Sequence, residues 1–340
     1  MKKGRSFDRI NYLIRPNKHI ERKLIFDALS KANSVFDLSK HRYIGFGSFW
    51  FVDFMLAHRI IGLNDMWSIE HEEYEKRANF NRPYASIRIL PGRSSTVFRE
   101  IASEDWEQPN ITWLDYDGVF DEDAASDIDI LTRKSSQTSF LIITVNGNRS
   151  SYRTTNPDGK KNISLDMLDK IAGSHNLPFR TKSYRVTGAG EKIDIPESDF
   201  PQILSETILN MMKHKVTSSG RIFNGKPATF LPLFNFCHVD GTEMVTVGGA
   251  IISSEEIEKL KNILNESCYL DHSNGLPKHL KLDLVQLTVK EKMALDRILP
   301  NKESEFEEMA KQEGIELNED QLRKYRNCYR YFPIFAESFF

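Results

Sequence analysis

Five short apolar runs, at residues 43–44, 66–70, 85–90, 111–118 and 139–148, follow one another along the first half of the chain. The last of them, SFLIITVNGN, is almost continuously apolar. A strand that is apolar on both sides must be covered on both sides, and a parallel sheet between two helical layers meets that demand. The intervening stretches have helical spacing. A helix is predicted over 16–32, with Pro16 at its start and Ile20, Leu24, Ile25, Ala28 and Leu29 on its apolar face. Another is predicted over 48–61 and is ended by Gly62. The segments HEEYEKRANF and STVFREIASE read as two further helices.

The second half breaks this rhythm. Residues 149–197 are rich in Gly, Asn, Asp, Ser and Lys and read as an insertion with one short helix at LDMLDKIAG. A strong helix follows over 199–215, with Asp199 as its expected cap. FLPLFNFCHV and EMVTVGGAII then flank the turn DGT, which is a hairpin signal. Beyond Ser253 the pattern is helical, and the apolar ending FPIFAESFF is expected to dock on the core. The predicted organisation is a helical lead-in over 1–40, a core over 41–263 with an insertion at about 149–197, and a helical extension over 264–340.

Lys and Arg number 46 against 48 Asp and Glu, a net charge of −2, so no overall field draws the chain to nucleic acid or an anionic membrane. A nucleic-acid role would need a local basic patch. The three cysteines, Cys237, Cys268 and Cys328, are far apart and fit neither a disulfide framework nor a zinc spacing. With no apolar run long enough to span a bilayer and no secretory cleavage pattern, the expected location is cytoplasmic.

In RYIGFGSFW the first apolar run leads into a Gly-x-Gly turn at Gly45 and Gly47, and the second run ends at Glu70. This order, with five alternating strands and a closing hairpin, resembles the class I S-adenosylmethionine-dependent methyltransferases over residues 42–263. The wider pattern, RPNKHIERK leading into YIGFGS and later WLDYDG, also looks like bacterial proteins grouped with methyltransferases. The resemblance implies an α/β, Rossmann-like fold with five parallel strands plus a terminal antiparallel hairpin. It further implies that the turn at Gly45, Gly47 and Ser48 admits the cofactor's methionine part, and that Glu70 accepts hydrogen bonds from both ribose hydroxyls. The physical basis is shared with dinucleotide folds: ligands bind at the carboxyl ends of the strands, and glycine removes a Cβ that would meet the ligand. Two positions depart from the family pattern, with Tyr43 where an acid is usual and Phe49 at the third glycine position. Dinucleotide binding is disfavoured because Trp50 stands where the backbone would have to approach a phosphate.

Gly92 and Arg93, with Ser94, follow the third strand and are candidates for the adenine edge, or form a solvated loop. Asp115, Tyr116, Asp117 and Gly118 close the fourth strand and resemble the acidic strand end of O-methyltransferases. Asp115 and Tyr116 are candidates beside the cofactor, and Asp115 or Asp117 is the candidate general base. Asn146 takes the place where some O-methyltransferases hold a metal ligand, but no metal is assigned. The leading segment carries Arg15, Lys18, Arg22 and Lys23, and the resemblance implies that Arg15 or Lys18 meets the cofactor's methionine carboxylate or an acidic substrate, the alternative being a solvated basic face. His58, His71 and His238 show no metal or triad spacing and are read as structural.

The expected function is methyl transfer from S-adenosylmethionine to an acceptor the sequence does not identify, with O-methylation favoured. The alternative is a catalytically inactive methyltransferase-like subunit, a cofactor-binding or interaction module in a bacterial complex such as a defence system. Its partner would meet the insertion or the C-terminal helices.

Overall fold

A computed structural model describes residues 15–153, 164–179, 181, 195–264 and 275–332. The predicted apolar runs form β1 (Arg42–Gly45), β2 (Asp65–Glu70), β3 (Ile87–Pro91), β4 (Asn110–Asp115) and β5 (Ser139–Asn146), all mutually parallel. The hairpin forms from β7 (Lys226–Val239) and β8 (Glu243–Ser253), joined by a turn with Gly241 at φ +104°. A short β6 (Ile222–Phe223) and β9 (Leu280–Leu282) complete the sheet, whose order is β3-β2-β1-β4-β5-β8-β7-β6 with β9 on β7. Because β8 runs antiparallel between β5 and β7, the sheet is the expected five parallel strands with a terminal antiparallel pair. The chain has the Rossmann-like methyltransferase architecture.

The continuous apolar character of β5 follows from its place in the middle. Phe140 and Ile142 enter the core on one face, while Leu141, Ile143 and Val145 enter the core on the other. The first face is covered by α1 (Pro16–Phe36), α2 (Val52–Leu56) and, after residue 256, by α8 (Ile257–Leu264), α9 (Val289–Arg297), α10 (Glu303–Gln312) and α11 (Glu319–Cys328). The second is covered by α4 (Ser94–Glu100), α5 (Glu122–Lys134), α6 (Ser164–Ala172) and α7 (Phe200–Ser218). The polar α3 (Glu75–Asn81) stands at the β3 edge with only Ala78 buried, as its charge pattern requires.

Three local expectations need correction. The helix predicted over 48–61 begins only at Val52, because residues 46–51 are used as a loop, and its last turn is a π-turn over Ala57–Ile61 before Gly62 at φ +83°. Asp199 does not cap α7: its backbone is already helical, its side chain accepts from Ser198, and Pro201 occupies the first turn instead. Finally, α5 was not anticipated between the fourth and fifth strands, although Asp121 caps it at 3.0 Å and Ala124, Ile128 and Leu131 form its apolar face.

Helix α1 begins without a cap of its own. Asp240, from the β7–β8 turn, supplies it by accepting from the Lys18 backbone N–H at 2.8 Å and from that of Asn17 at 3.3 Å. The hairpin therefore pins the start of α1 above the carboxyl ends of the strands. The docking expected of FPIFAESFF falls, from residue 333 on, outside the described residues, as do residues 1–14, Cys268 and much of the 149–197 segment. No helix among the described residues is long and apolar enough to cross a membrane.

Candidate active site

At the carboxyl ends of β1, β2 and β4 lies a cavity of about 490 Å³. Gly47, Ser48, Glu70, Gly92, Arg93, Ser94, Asp115, Tyr116 and Asp117 all line it, so nine of the ten residues predicted at the strand ends share one wall system. Gly45, the tenth, lies outside that lining at the end of β1.

The β1 turn is held by β2. The Gly47 N–H donates to Ser68 Oγ at 2.9 Å, and the Ser68 hydroxyl donates to Glu70 Oε1 at 2.8 Å. The Ser48 N–H donates to the same Oε1 at 2.9 Å. The reason for glycine here differs from the expectation. Neither Gly45 nor Gly47 has a positive φ; the left-handed residues in this loop are Ser48 at +54° and Phe51 at +48°. A Cβ at Gly45 would lie 2.9 Å from the Trp113 carbonyl oxygen, and one at Gly47 would lie 2.6 Å from Ser68 Oγ. The chain's own groups therefore already exclude a side chain at both positions.

Burial pushes the Glu70 carboxyl up to about 7, against the lowering effect of the Ser68 hydroxyl and the Ser48 and Gly47 amides. Tyr43, where an acid is usual, is buried and meets Phe54 edge to face at 4.8 Å. Phe49 packs against Tyr74 at 5.5 Å beneath the Arg77 guanidinium, so both departures from the family pattern are absorbed by local packing.

Beyond β3, the Gly92 N–H donates to the Glu70 carbonyl at 2.8 Å, and Gly92 at φ +136° turns the chain into α4. The Ser94 hydroxyl donates to Asp127 Oδ2, as does the Tyr116 hydroxyl at 2.6 Å. Asp127 is fully buried, and among the described residues its Oδ1 has no hydrogen-bond partner. Burial raises its pKa, and burial together with Asp127 raises that of Tyr116. The sequence reading missed Asp127. Its signal was present: it sits on the apolar face of α5 beside Ala124, Ile128 and Leu131.

The leading helix is no solvated basic face at Lys18 or Arg22, which are 1% and 2% exposed. Lys18 Nζ lies 3.2 Å from Asp115 Oδ1 and 2.9 Å from Glu21 Oε1, over the Trp113 ring. Burial opposes the Lys18 charge, but Asp115 and Glu21 outweigh it and raise its pKa. Arg22 Nε donates to Asp53 Oδ1 at 2.6 Å, and both residues line the large cavity. Glu21, also missed, is fully buried; its Oε1 accepts from Thr246, and its Oε2 lies 2.7 Å from His238 Nδ1. Burial works against its charge, yet Lys18 and His238 lower its pKa.

A second cavity, of about 140 Å³, adjoins the first where Asp115 and Asp117 line both. Arg15, Lys18, Asn146, His238, Met244 and the hairpin turn complete its lining. Asn146 Oδ1 accepts from the Asn148 N–H at 2.8 Å. The His58 Nδ1–H donates to the Leu63 carbonyl at 2.9 Å, within its own loop, which fits a structural role.

The chain is similar to several solved structures at low identity. Trm1 from Pyrococcus horikoshii with S-adenosyl-L-methionine is 10% identical, with 96% of this chain and 78% of that chain covered at a TM-score of 0.44. An S-adenosylmethionine-dependent methyltransferase from Mesorhizobium loti is 11% identical, with 66% and 99% covered at 0.35. Human N-acetylserotonin methyltransferase with S-adenosylmethionine is 13% identical, with 69% and 57% covered at 0.31. Among curated proteins no sequence matches. The family Methyltransf_35, described as "Putative O-methyltransferase", matches residues 10–340. The chain therefore belongs to this methyltransferase family.

Proposed function

We propose that the protein transfers a methyl group from S-adenosylmethionine to a hydroxyl oxygen, with the cofactor in the large cavity and the acceptor approaching past Asp115 and Asp117. One observation carries the reading: Glu70, Asp115 and Asp117 come from two different strand ends and line one cavity. The residues suit the cofactor. Glu70 Oε1 accepts from Ser48 and Ser68, and a buried carboxyl raised to about 7 is relieved by donors such as a ribose diol. Gly47 and Ser48 would border the methionine part, while Gly92 and Arg93 would border the adenine edge and Tyr116, held by Asp127, would close that side.

When bound, S-adenosylmethionine supplies an electrophilic methyl group on a sulfonium. The chain's contribution is alignment and exclusion of water. Asp115, fixed by the Lys18 ammonium, and Asp117 stand between the two cavities as hydrogen-bond acceptors for an incoming hydroxyl.

Calorimetry with S-adenosylmethionine and S-adenosylhomocysteine tests binding, and labelled methyl transfer into a bacterial extract tests turnover. Asp115→Asn or Asp117→Asn should lower transfer about ten- to a hundredfold, the worth of a hydrogen bond to a charged group, with cofactor affinity within a few fold. Binding without transfer in any extract would instead support a non-catalytic subunit.

A further inference from the structure

His175 and His214 line neither cavity of the active site. His175 follows α6 in a short 3₁₀ turn (Ser174–Asn176), His214 stands near the end of α7, and both are exposed. They are 39 residues apart in the chain, yet His175 Nε2 lies 3.2 Å from His214 Nδ1. Two nitrogens aimed straight at each other across a linear hydrogen bond of that length would leave the ring centroids about 5.5 Å apart. The centroids are 4.6 Å apart and the ring planes cross at 69°, so the rings are bent away from a direct nitrogen-to-nitrogen line, as two ligands of one ion are. Two zinc–nitrogen bonds of about 2.0–2.1 Å at a tetrahedral angle place their nitrogens about 3.3–3.4 Å apart, close to the spacing seen. The surroundings hold the pair in place. The Asn176 side-chain N–H donates to His175 Nε2 at 3.1 Å and to the Ala172 carbonyl at 2.8 Å, so Nε2 is the unprotonated nitrogen, the form that binds metal. Asn210, one turn before His214, donates to the Asn176 carbonyl at 3.1 Å. Gly173, at φ +85°, turns the chain where a Cβ would lie 2.9 Å from His175 Cε1.

We propose that His175 and His214 together chelate a divalent transition-metal ion of the zinc type, which clips the segment after α6 to α7. The inference stands apart from the methyl-transfer reading. Imidazole nitrogens favour zinc, nickel and copper, whereas magnesium and calcium take oxygen ligands. An arriving ion takes over the lone pair of His175 Nε2, and the Asn176 amide keeps its bond to Ala172. His214 Nδ1 gives up its proton by changing tautomer, with the proton moved to Nε2. No group of three His, Cys, Asp or Glu that could hold a metal occurs among the described residues, so water completes the coordination and the ion exchanges with solvent. An ion held by two residues that only the folded chain brings together binds the folded state in preference to the unfolded one. The site therefore stabilises the packing of the insertion on α7 and has no part in the chemistry at the strand ends.

The test uses the full chain with ¹⁵N-labelled histidine and Zn²⁺ alone as the probe, with Mg²⁺ as the control. Followed by NMR, Zn²⁺ should shift the ring nitrogens of His175 and His214 saturably and with one midpoint, and Mg²⁺ should move neither. His175→Ala and His214→Ala should each weaken this site at least about tenfold, the lower end of the loss when even an outer-shell partner of a metal is removed. The double variant should abolish it. Both side chains are exposed, so the variants should fold, and thermal unfolding without metal checks that they do. Saturating Zn²⁺ should then raise the unfolding midpoint of the wild type and leave that of the double variant where it was. If Zn²⁺ moves neither ring, or only one, or if a folded single variant keeps wild-type affinity, the inference is overturned and the pair is a hydrogen bond only. An equal rise in midpoint for wild type and double variant would overturn the clip, because the stabilising ion would then sit elsewhere.

Discussion

Lys18 Nζ sits 3.2 Å from Asp115 Oδ1, and this contact fastens the leading helix to the carboxyl end of β4. Lys18 is 1% exposed and shares its charge with the fully buried Glu21, so the arrangement is an ionic triad with two buried members and a half-buried Asp115. Such groups cost desolvation when formed and cost more when one member is removed.

Replacing Lys18 by Met should destabilise the protein by about 3–5 kcal/mol, because Glu21 loses its cation while remaining buried. Urea unfolding reads the change, and an unchanged midpoint with an unchanged slope would show that the triad contributes nothing. The double variant Lys18→Met with Glu21→Gln should recover part of the loss, since the uncompensated charge is gone.

Glu70 links cofactor binding to pH. Its folded carboxyl is raised to about 7, above the unfolded value near 4.3. The sign is therefore opposite to that of a salt-bridged acid: the group's contribution to stability is present below about pH 4.3 and is lost as pH rises to about 7, on the order of 3 kcal/mol in all. Donors from a ribose diol favour the ionised form, so S-adenosylmethionine should bind more tightly as pH rises from 6 to 8 and should release protons near pH 7. Calorimetry in buffers of different ionisation enthalpy measures that release. Glu70→Gln should abolish the proton release and weaken binding by about 1.5–3 kcal/mol.

Gly47→Ala should damage the β1 turn before it affects any ligand. The added Cβ would run into the buried Phe51 ring and lie 2.6 Å from Ser68 Oγ, and relief requires moving both the ring and the Ser68 hydroxyl that also holds Glu70. A loss of about 1–3 kcal/mol in unfolding free energy is expected, the range for overpacking. A variant as stable as the wild type would mean that the turn relaxes freely.

Asp127→Ala should release both Tyr116 and Ser94, leaving two polar groups at the cavity wall without their acceptor. The expected cost is about 1–3 kcal/mol for each group left unsatisfied, and thermal unfolding reports it. If Tyr116 flanks the cofactor, affinity for S-adenosylmethionine should fall with it. Unchanged affinity in the folded variant would place Tyr116 outside the binding contacts.

Much of the fold was legible in the sequence because its determinants are local. Continuous apolar runs at β4 and β5 require cover on two faces, the DGT turn requires a hairpin, and the acid after MWSI falls at a strand end whatever packs around it. The meeting of Glu70 with the Gly47 turn follows from parallel pairing of β1 with β2 in register. What the sequence could not determine is which charges would be buried, since side-chain type states a charge and only packing states its surroundings. Lys18 and Arg22 look like a solvated face until α1 is laid against β4 and α2, where Asp115 and Asp53 receive them. Asp127 reads as one more helix acid until the α4 and β4 ends bring Ser94 and Tyr116 to it. His238 and Glu21 stand at opposite ends of the core sequence, and the hairpin that caps α1 through Asp240 is what brings them within 2.7 Å. Such contacts depend on desolvation and distance, and both are set only when the layers close on the sheet.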